Sequence, residues 1–286
     1  MPTKAVLLCG GLATRMLPVT KTIPKEMLPI VNRPAIDYCI EDLRANGIKD
    51  VLIILGRGKE CLENYFDRNV ELEHRLLSHN KNQELADITK QFQDMNISFI
   101  RQVDARGTGY ATRLAKNFVG KDNFILMYPD DITMGFSLSE QLLAVHQTTG
   151  GSVIPLKRID IKDCSKYGMV GIKQSKTAFP LISTFVEKPE EKDSPSNICY
   201  TGSGLFTSEI FEHLNNCPFH ENGEQYLTDA FAGLIDNESL FGFELRGTRL
   251  DVGTPLGLVT SNVLAALYNP DLHDDLVTFL KSLHLK

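Results

Sequence analysis

Short apolar runs at 4–9, 51–55, 97–100 and 124–128 alternate with stretches whose apolar positions recur at helical spacing. Runs of this length without alternation read as strands buried on both faces, and their interleaving with helices predicts a mostly parallel α/β sheet. Between the first two runs, Ile36, Cys39, Ile40 and Leu43 fall at i, i+3, i+4 and i+7, and Gly47 stands where such a helix would stop. That stretch is expected to be a crossover helix. Another should begin at Ser137, where Ser137 and Glu140 have capping-box spacing ahead of Leu142, Leu143 and Val145. The pattern then turns strand-rich, at 152–155, 169–172, 181–186 and 198–206, which predicts a sheet extension and a small antiparallel flap. The polar, helical stretch 71–93 predicts an excursion over the site or toward a partner subunit. Two more helical patterns, 256–267 and 274–283, are separated by Asn269 and Pro270. With no repeat and no linker to divide it, the chain is expected to form a Rossmann-like main domain, 1–254, followed by a helical appendage, 255–286, for packing or oligomerisation.

Composition narrows the class. The 286 residues, 42% hydrophobic and 23% charged, suffice for one large core or two. Net charge is −6 and the basic residues are scattered, so neither nucleic acid nor an anionic membrane is an expected partner. No apolar run approaches the roughly 18 residues of a membrane span, and the N-terminal stretch lacks the apolar region of a secretory signal. A cytoplasmic location is expected. Six cysteines without a C-x-x-C pair lie mostly in apolar segments and read as buried thiols of a reducing compartment.

The first chemistry follows the first strand. From Gly10 to Pro29 the chain reads G-G-L-A-T-R-M-L-P-V-T-K-T-I-P-K-E-M-L-P. Small residues after a strand let backbone N–H groups approach an anion, while Arg15 and Lys25 supply the charge a triphosphate needs. A dinucleotide-binding turn would need glycines that are missing after Gly11. A plain tight turn explains the small residues but not Arg15, Lys25 and three prolines in one short span. Further on, Asp130 and Asp131 directly follow the run 124–128, at the strand end where open α/β sheets bind ligands. Paired aspartates there serve either as caps and turn formers or as metal ligands. A second acidic strand end, L-D-V-G-T-P with Asp251, favours the metal reading, and hard carboxylate oxygens suit Mg²⁺.

The opening L-L-C-G-G-L-A-T-R-M-L-P with I-P-K-E-M-L-P-I resembles that of the bacterial UTP–glucose-1-phosphate uridylyltransferases, within the sugar-phosphate nucleotidyltransferases. The likeness continues through F-I-R-Q-V-D-A-R-G-T-G-Y-A, M-Y-P-D-D-I, K-Y-G-M-V-G, F-V-E-K-P, E-Q-Y-L-T-D-A-F and L-D-V-G-T-P, over nearly the whole chain. It implies the nucleotidyltransferase fold and uridylyl transfer from UTP to glucose 1-phosphate in a homo-oligomer, dimer or tetramer. By resemblance, Gln102 reads uracil, with backbone of Gly10, Gly11 and Gly107 closing round the base. Asp130 and Asp251 hold Mg²⁺, Asp130 also facing the nucleotide, and Asp131 is a neighbour. Gly168 admits the hexose, Glu187 accepts from its hydroxyls, Lys188 holds the sugar phosphate, and Gly202 marks a close approach. E-Q-Y-L-T-D-A-F borders the hexose pocket. Standing alone, Glu187 and Lys188 would read as a solvated pair before a proline.

Such parts imply in-line displacement. A sugar 1-phosphate is already an ionised nucleophile, so positioning and charge neutralisation by Arg15, Lys25 and Lys188 carry the catalysis. The chain departs from the family pattern at three points. Ala13 replaces a glycine before Thr-Arg, which narrows the phosphate approach and implies lower turnover. Gly202-Ser203-Gly204 replaces G-R-Y, and Pro255 replaces a lysine after D-V-G-x. These changes keep two alternatives open: another hexose-1-phosphate nucleotidyltransferase, such as a thymidylyltransferase, or a nucleotide-sugar-binding regulatory paralogue.

Overall fold

The computed structural model describes residues 2–90 and 92–283. Its strands, in chain order, are β1 (Lys4–Cys9), β2 (Pro29–Ile30), β3 (Arg33–Pro34), β4 (Asp50–Leu55), β5 (Asn96–Arg101), β6 (Phe124–Met127) and β7 (Asp131–Met134). There follow β8 (Ser152–Arg158), β9 (Gly168–Lys173), β10 (Leu181–Glu187), β11 (Ile198–Tyr200), β12 (Gly204–Phe206), β13 (Leu240–Glu244) and β14 (Thr248–Asp251). The helices are α1 (Ala35–Ala45), α2 (Glu60–Phe66), α3 (Val70–Ser78), α4 (Asn82–Thr89), α5 (Gly107–Leu114), α6 (Lys116–Val119), α7 (Leu138–Thr149), α8 (Ile210–Asn216), α9 (Phe231–Asp236), α10 (Pro255–Tyr268) and α11 (His273–Ser282).

Ten strands form one mixed sheet in the order β11-β9-β10-β13-β8-β12-β6-β1-β4-β5. β1 runs parallel to β4 and β6, and β4 parallel to β5, as the apolar runs predict. Alternate residues of these strands feed separate cores: Ala5, Leu7, Val51 and Ile53 face one layer, Val6, Leu8, Leu52 and Ile54 the other. Helices α1 and α7 seal the first face, and α5, α8 and α9 the second. Burial on both faces is why these segments show no polar alternation, and each fully buried aliphatic side chain contributes about 1.5–3 kcal/mol. Because β1, β4 and β6 are parallel, their C-terminal ends open on one edge. The loops at 10–29, 56–59 and 128–130 gather there.

Local signals hold where the chemistry is local. Ser137 caps α7 by accepting from the Glu140 N–H at 2.9 Å, and Gly150 ends it at φ +71°. Thr254 caps α10 in the same way, accepting from Gly257 N–H at 3.1 Å. β9, β10 and β11 form the antiparallel extension of the main sheet.

Three expectations are corrected. The run 198–206 is two strands rather than one: Gly202, at φ +119°, breaks it, so β11 pairs with β8 and β9 while β12 pairs with β6 and β8. The excursion 71–93, of which Gln91 lies outside the described residues, forms α3 and α4; neither lines the cavity walled by Gly10, Gly11 and Gln102, so it does not lie over that cavity, which leaves the other expected placement, toward a partner subunit. Those helices, with α2, enclose a separate cavity of about 530 Å³ that shares no residue with the site. Finally, Cys9, Cys39, Cys164 and Cys199 are buried thiols, but Cys61 is exposed on α2 and Cys217 is half-buried. The last three residues of the expected appendage, 284–286, lie outside the described residues.

Candidate active site

Beyond β1 the chain descends through three short 3-10 turns, Thr14–Met16, Val19–Lys21 and Lys25–Met27, with prolines between them. Ala13 enters the first turn in the left-handed region, φ 51° and ψ 41°, where a side chain costs about 1–2 kcal/mol. Thr20 Oγ1 donates to its carbonyl at 2.8 Å and Met16 N–H at 3.0 Å, which hold it there. Glycine would adopt this conformation without strain. Ala13→Gly is therefore expected to stabilise the protein by roughly 1 kcal/mol. A thermal midpoint that falls instead of rising would show that Ala13 is not strained.

A cavity of about 420 Å³ opens above this loop, walled by Gly10, Gly11, Lys25, Gln102, Gly107 and Tyr128 among others. Gln102 is buried, and its amide nitrogen occupies the space a Cβ on Gly10 would need, 1.7 Å from that point. Its Oε1 is buried with no hydrogen-bond partner among the described residues. Gly107, at φ +89°, lies so near the segment 224–226 that a Cβ would stand 2.4 Å from the Gln225 carbonyl oxygen. Gly109 N–H donates to that same oxygen at 2.8 Å. The E-Q-Y-L-T-D segment spans two cavities: Glu224 and Tyr226 wall the first, while Thr228 and Asp229 line a second one, about 410 Å³, together with Glu187.

Asp130 and Asp251 converge. Asp130 follows β6 and accepts from Lys25 Nζ at 2.6 Å; Asp251 ends β14 and accepts from Gly253 N–H at 2.8 Å. The strand ends are joined by Val252 N–H donating to the Asp130 carbonyl at 2.9 Å. Asp130 Oδ2 and Asp251 Oδ1 each lie 3.0 Å from the point a Cβ on Gly253 would occupy, so at most twice that distance separates them. Arg15 Nη2 is 3.1 Å from the same point. Glycine at 253 keeps this space open. Burial alone would lower the Lys25 pKa, but Asp130 and then Glu26 outweigh it and keep the ammonium charged.

Two further partners were not legible in the sequence. Arg249 clasps Asp131 through Nε, at 2.7 and 2.9 Å, and Nη2, at 2.6 Å. Since Asp131 faces Asp251 across the β7–β14 ladder, the clasp ties together the two strands that carry the carboxylates. Burial pushes Asp131 up to about 7 against the pull of Arg249, and the same pairing raises the guanidinium's pKa. An arginine two residues before Asp251 was the available signal. Glu26 and Lys59 form a second buried pair, without any sequence spacing to announce it.

Elsewhere on this face, β9 and β10 set Gly168 opposite Glu187, whose Oε2 is 3.1 Å from where a Gly168 Cβ would lie. Lys188 follows at φ 45°, an exposed side chain whose ammonium is 3.5 Å from Glu187 Oε1. Gly202 lies beside Asp131 Oδ2, 3.1 Å from its own would-be Cβ. Tyr128 is half-buried in the wall of the first cavity, and burial foremost, with Asp130 and Glu187, raises its pKa. Pro255, where the family pattern has lysine, begins α10, a position at which proline's missing N–H costs nothing.

No cluster of three or more His, Cys, Asp or Glu able to hold a metal occurs among the described residues. Two converging carboxylates with space between them nevertheless fit Mg²⁺, which takes one or two carboxylates and fills its remaining positions with phosphate and water.

The nucleotidyl transferase family profile matches residues 4–266. The UTP–glucose-1-phosphate uridylyltransferase of Bacillus subtilis strain 168 is 36% identical over 281 residues, covering 98% of this chain and 96% of its own. The solved structure of the UTP-bound UGPase from Acinetobacter baumannii superposes with a TM-score of 0.91 at 31% identity, covering 99% of this chain and 100% of that one. A UDP-glucose pyrophosphorylase solved with UDP-glucose gives a TM-score of 0.84 at 29% identity, over 94% of this chain and 100% of that one. With a fold shared end to end and the carboxylates, cations and glutamine gathered at one sheet edge, the chain belongs to the nucleotidyl transferase family.

Proposed function

We propose that this chain transfers a uridylyl group from UTP to glucose 1-phosphate, forming UDP-glucose and pyrophosphate. The observation that carries the reading is the convergence of Asp130, Asp251 and Arg15 near a cavity lined by Gln102, whose buried amide oxygen has no hydrogen-bond partner among the described residues. The names of the Bacillus subtilis relative and of the UTP-bound neighbour support it.

In this reading a phosphate oxygen of glucose 1-phosphate attacks the α-phosphorus of UTP. A new P–O bond forms as the bond to the β-phosphoryl oxygen breaks, and the electron pair leaves with pyrophosphate. The nucleophile arrives ionised, so no general base and no covalent enzyme intermediate are required. Gln102 pairs with the uracil edge, its amide oxygen accepting from N3–H and its amide nitrogen donating to O4. Lys25 and Arg15 neutralise the triphosphate and the departing pyrophosphate; Lys188 orients the sugar phosphate, and Glu187 accepts from sugar hydroxyls. Asp130 and Asp251 would hold Mg²⁺, which when bound supplies charge neutralisation between the phosphates of the two substrates. No helix among the described residues is long and apolar enough to cross a membrane, and a cytoplasmic location suits soluble substrates. A homo-oligomer fits α10, which carries no charged residue and leaves Leu256 and Val259 exposed.

Pyrophosphate release across UTP, CTP and deoxythymidine triphosphate, each with several sugar 1-phosphates, tests the reading. UTP should be preferred over CTP, whose N3 and N4 reverse the hydrogen-bond pattern, and Gln102→Glu should weaken UTP binding by removing a donor. Equal rates with UTP and CTP would overturn the role of Gln102. A preference for deoxythymidine triphosphate would move the chain to the thymidylyl alternative, since thymine shares uracil's edge.

A further inference from the structure

The loop after β4 braces the phosphate-binding loop from behind. A Cβ on Gly56 would stand 2.7 Å from the Gly10 carbonyl oxygen, so the two backbones touch there. Three residues on, Lys59 Nζ donates to both carboxylate oxygens of Glu26, each at 2.8 Å. Glu26 is fully buried and Lys59 is 7% exposed. Glu26 belongs to the 3-10 turn Lys25–Met27, the same single turn that carries Lys25 into the nucleotide cavity.

Packing alone does not account for such a pair. Removing two charges from water costs several kcal/mol per ion, and a well-packed apolar pair of similar volume is often as stable or more so. What two carboxylate-directed hydrogen bonds add is direction. Besides the Lys25 bond to Asp130, the turn's internal backbone bonds among the described residues are Met27 N–H to the Pro24 carbonyl and Leu28 N–H to the Lys25 carbonyl, and the Lys59 pair adds an anchor to the loop that follows β4.

We infer that Glu26 and Lys59 are positioning residues for nucleotide handling: their buried ion pair holds the turn that aims Lys25, so breaking it impairs use of UTP and spares use of glucose 1-phosphate. The inference deepens the uridylyl-transfer reading and rests on it. Neither residue lines the cavity that Lys25 enters.

The test compares the unvaried chain with Glu26→Gln, Lys59→Met and the double variant Glu26→Leu with Lys59→Met. UTP affinity is measured by calorimetry, the KM of each substrate by pyrophosphate release, and folding by thermal midpoint. The apolar double variant should melt no lower than either single variant, yet lose about 10- to 10²-fold in kcat/KM for UTP, the scale of a misplaced catalytic group. Its KM for glucose 1-phosphate should stay near that of the unvaried chain. A folded double variant that binds UTP as the unvaried chain does, or that loses equally on both substrates, overturns the positioning role. If the double variant does not fold, Glu26→Gln, which keeps the size and one acceptor, decides by the same split. An unvaried chain that does not turn over UTP overturns the uridylyl-transfer reading and this inference with it, whereas turnover with an unaffected double variant overturns the inference alone.

Discussion

Asp130→Asn and Asp251→Asn should each lower turnover at least roughly 10²-fold while the protein remains folded, the scale of losing one transition-state electrostatic contact. Their oxygens point into one space beside Gly253, with Arg15 at its edge, and a neutral amide there offers a weaker oxygen to a divalent cation. The two variants should differ in one respect. Asp130 also receives Lys25 at 2.6 Å, so Asp130→Asn should weaken nucleotide handling as well, whereas the Asp251 carboxylate accepts, among the described residues, from the Gly253 N–H. Excess chelator should abolish activity in the unvaried chain, because two carboxylates and several phosphate oxygens do not converge without a cation between them. Steady-state rates with Mg²⁺ varied check this. Full activity of either variant, or of the unvaried chain in chelator, would remove the metal from the site.

The second large effect should divide by substrate. Arg15→Ala should lower kcat/KM for UTP by about 10²-fold through loss of charge beside the phosphates. Lys188→Ala should depress kcat/KM for glucose 1-phosphate on a similar scale, while UTP binding measured alone by calorimetry changes little. The geometry motivates the split: Arg15 reaches the space between Asp130 and Asp251, whereas Lys188 extends from the end of β10 beside Glu187 and Gly168. Glu187→Gln should loosen discrimination between glucose and its epimers, since an amide accepts more weakly than a carboxylate. If Lys188→Ala abolished UTP binding and left saturation by glucose 1-phosphate unchanged, the halves would be assigned in reverse.

Much of this arrangement is carried by local pattern. The runs that became β1, β4, β5 and β6 lack polar alternation because each supplies side chains to both cores, and that burial is visible residue by residue. The caps at Ser137 and Thr254, the loop after β1 and the acidic strand ends at Asp130 and Asp251 are equally short-range features. Where the reading went astray, the cause was also specific. The segment 198–206 has the composition of one strand, but a single glycine at φ +119° lets its halves pair with different neighbours. The polarity of 71–93 shows a solvated helical pair without showing which surface it lies on. Gln102 had no local signal at all: its role was carried by family resemblance, and its burial against Gly10 depends on β1, β4 and β5 lying side by side.

The sequence by itself determined the buried parallel strands, the crossover helix, the capped helix at Ser137 and the residue types that a phosphate and metal chemistry requires. These follow from periodicity and turn chemistry within a few residues. Only the tertiary structure decided which charges meet. Arg249 reaches Asp131 across 118 residues, Lys25 reaches Asp130 across 105, and Lys59 reaches Glu26 across 33. No spacing encodes those pairs, because each depends on two strand ends or loops that are brought to one edge by a parallel sheet. Burial at that edge then makes an unpaired charge costly, so the charges that arrive together must be matched.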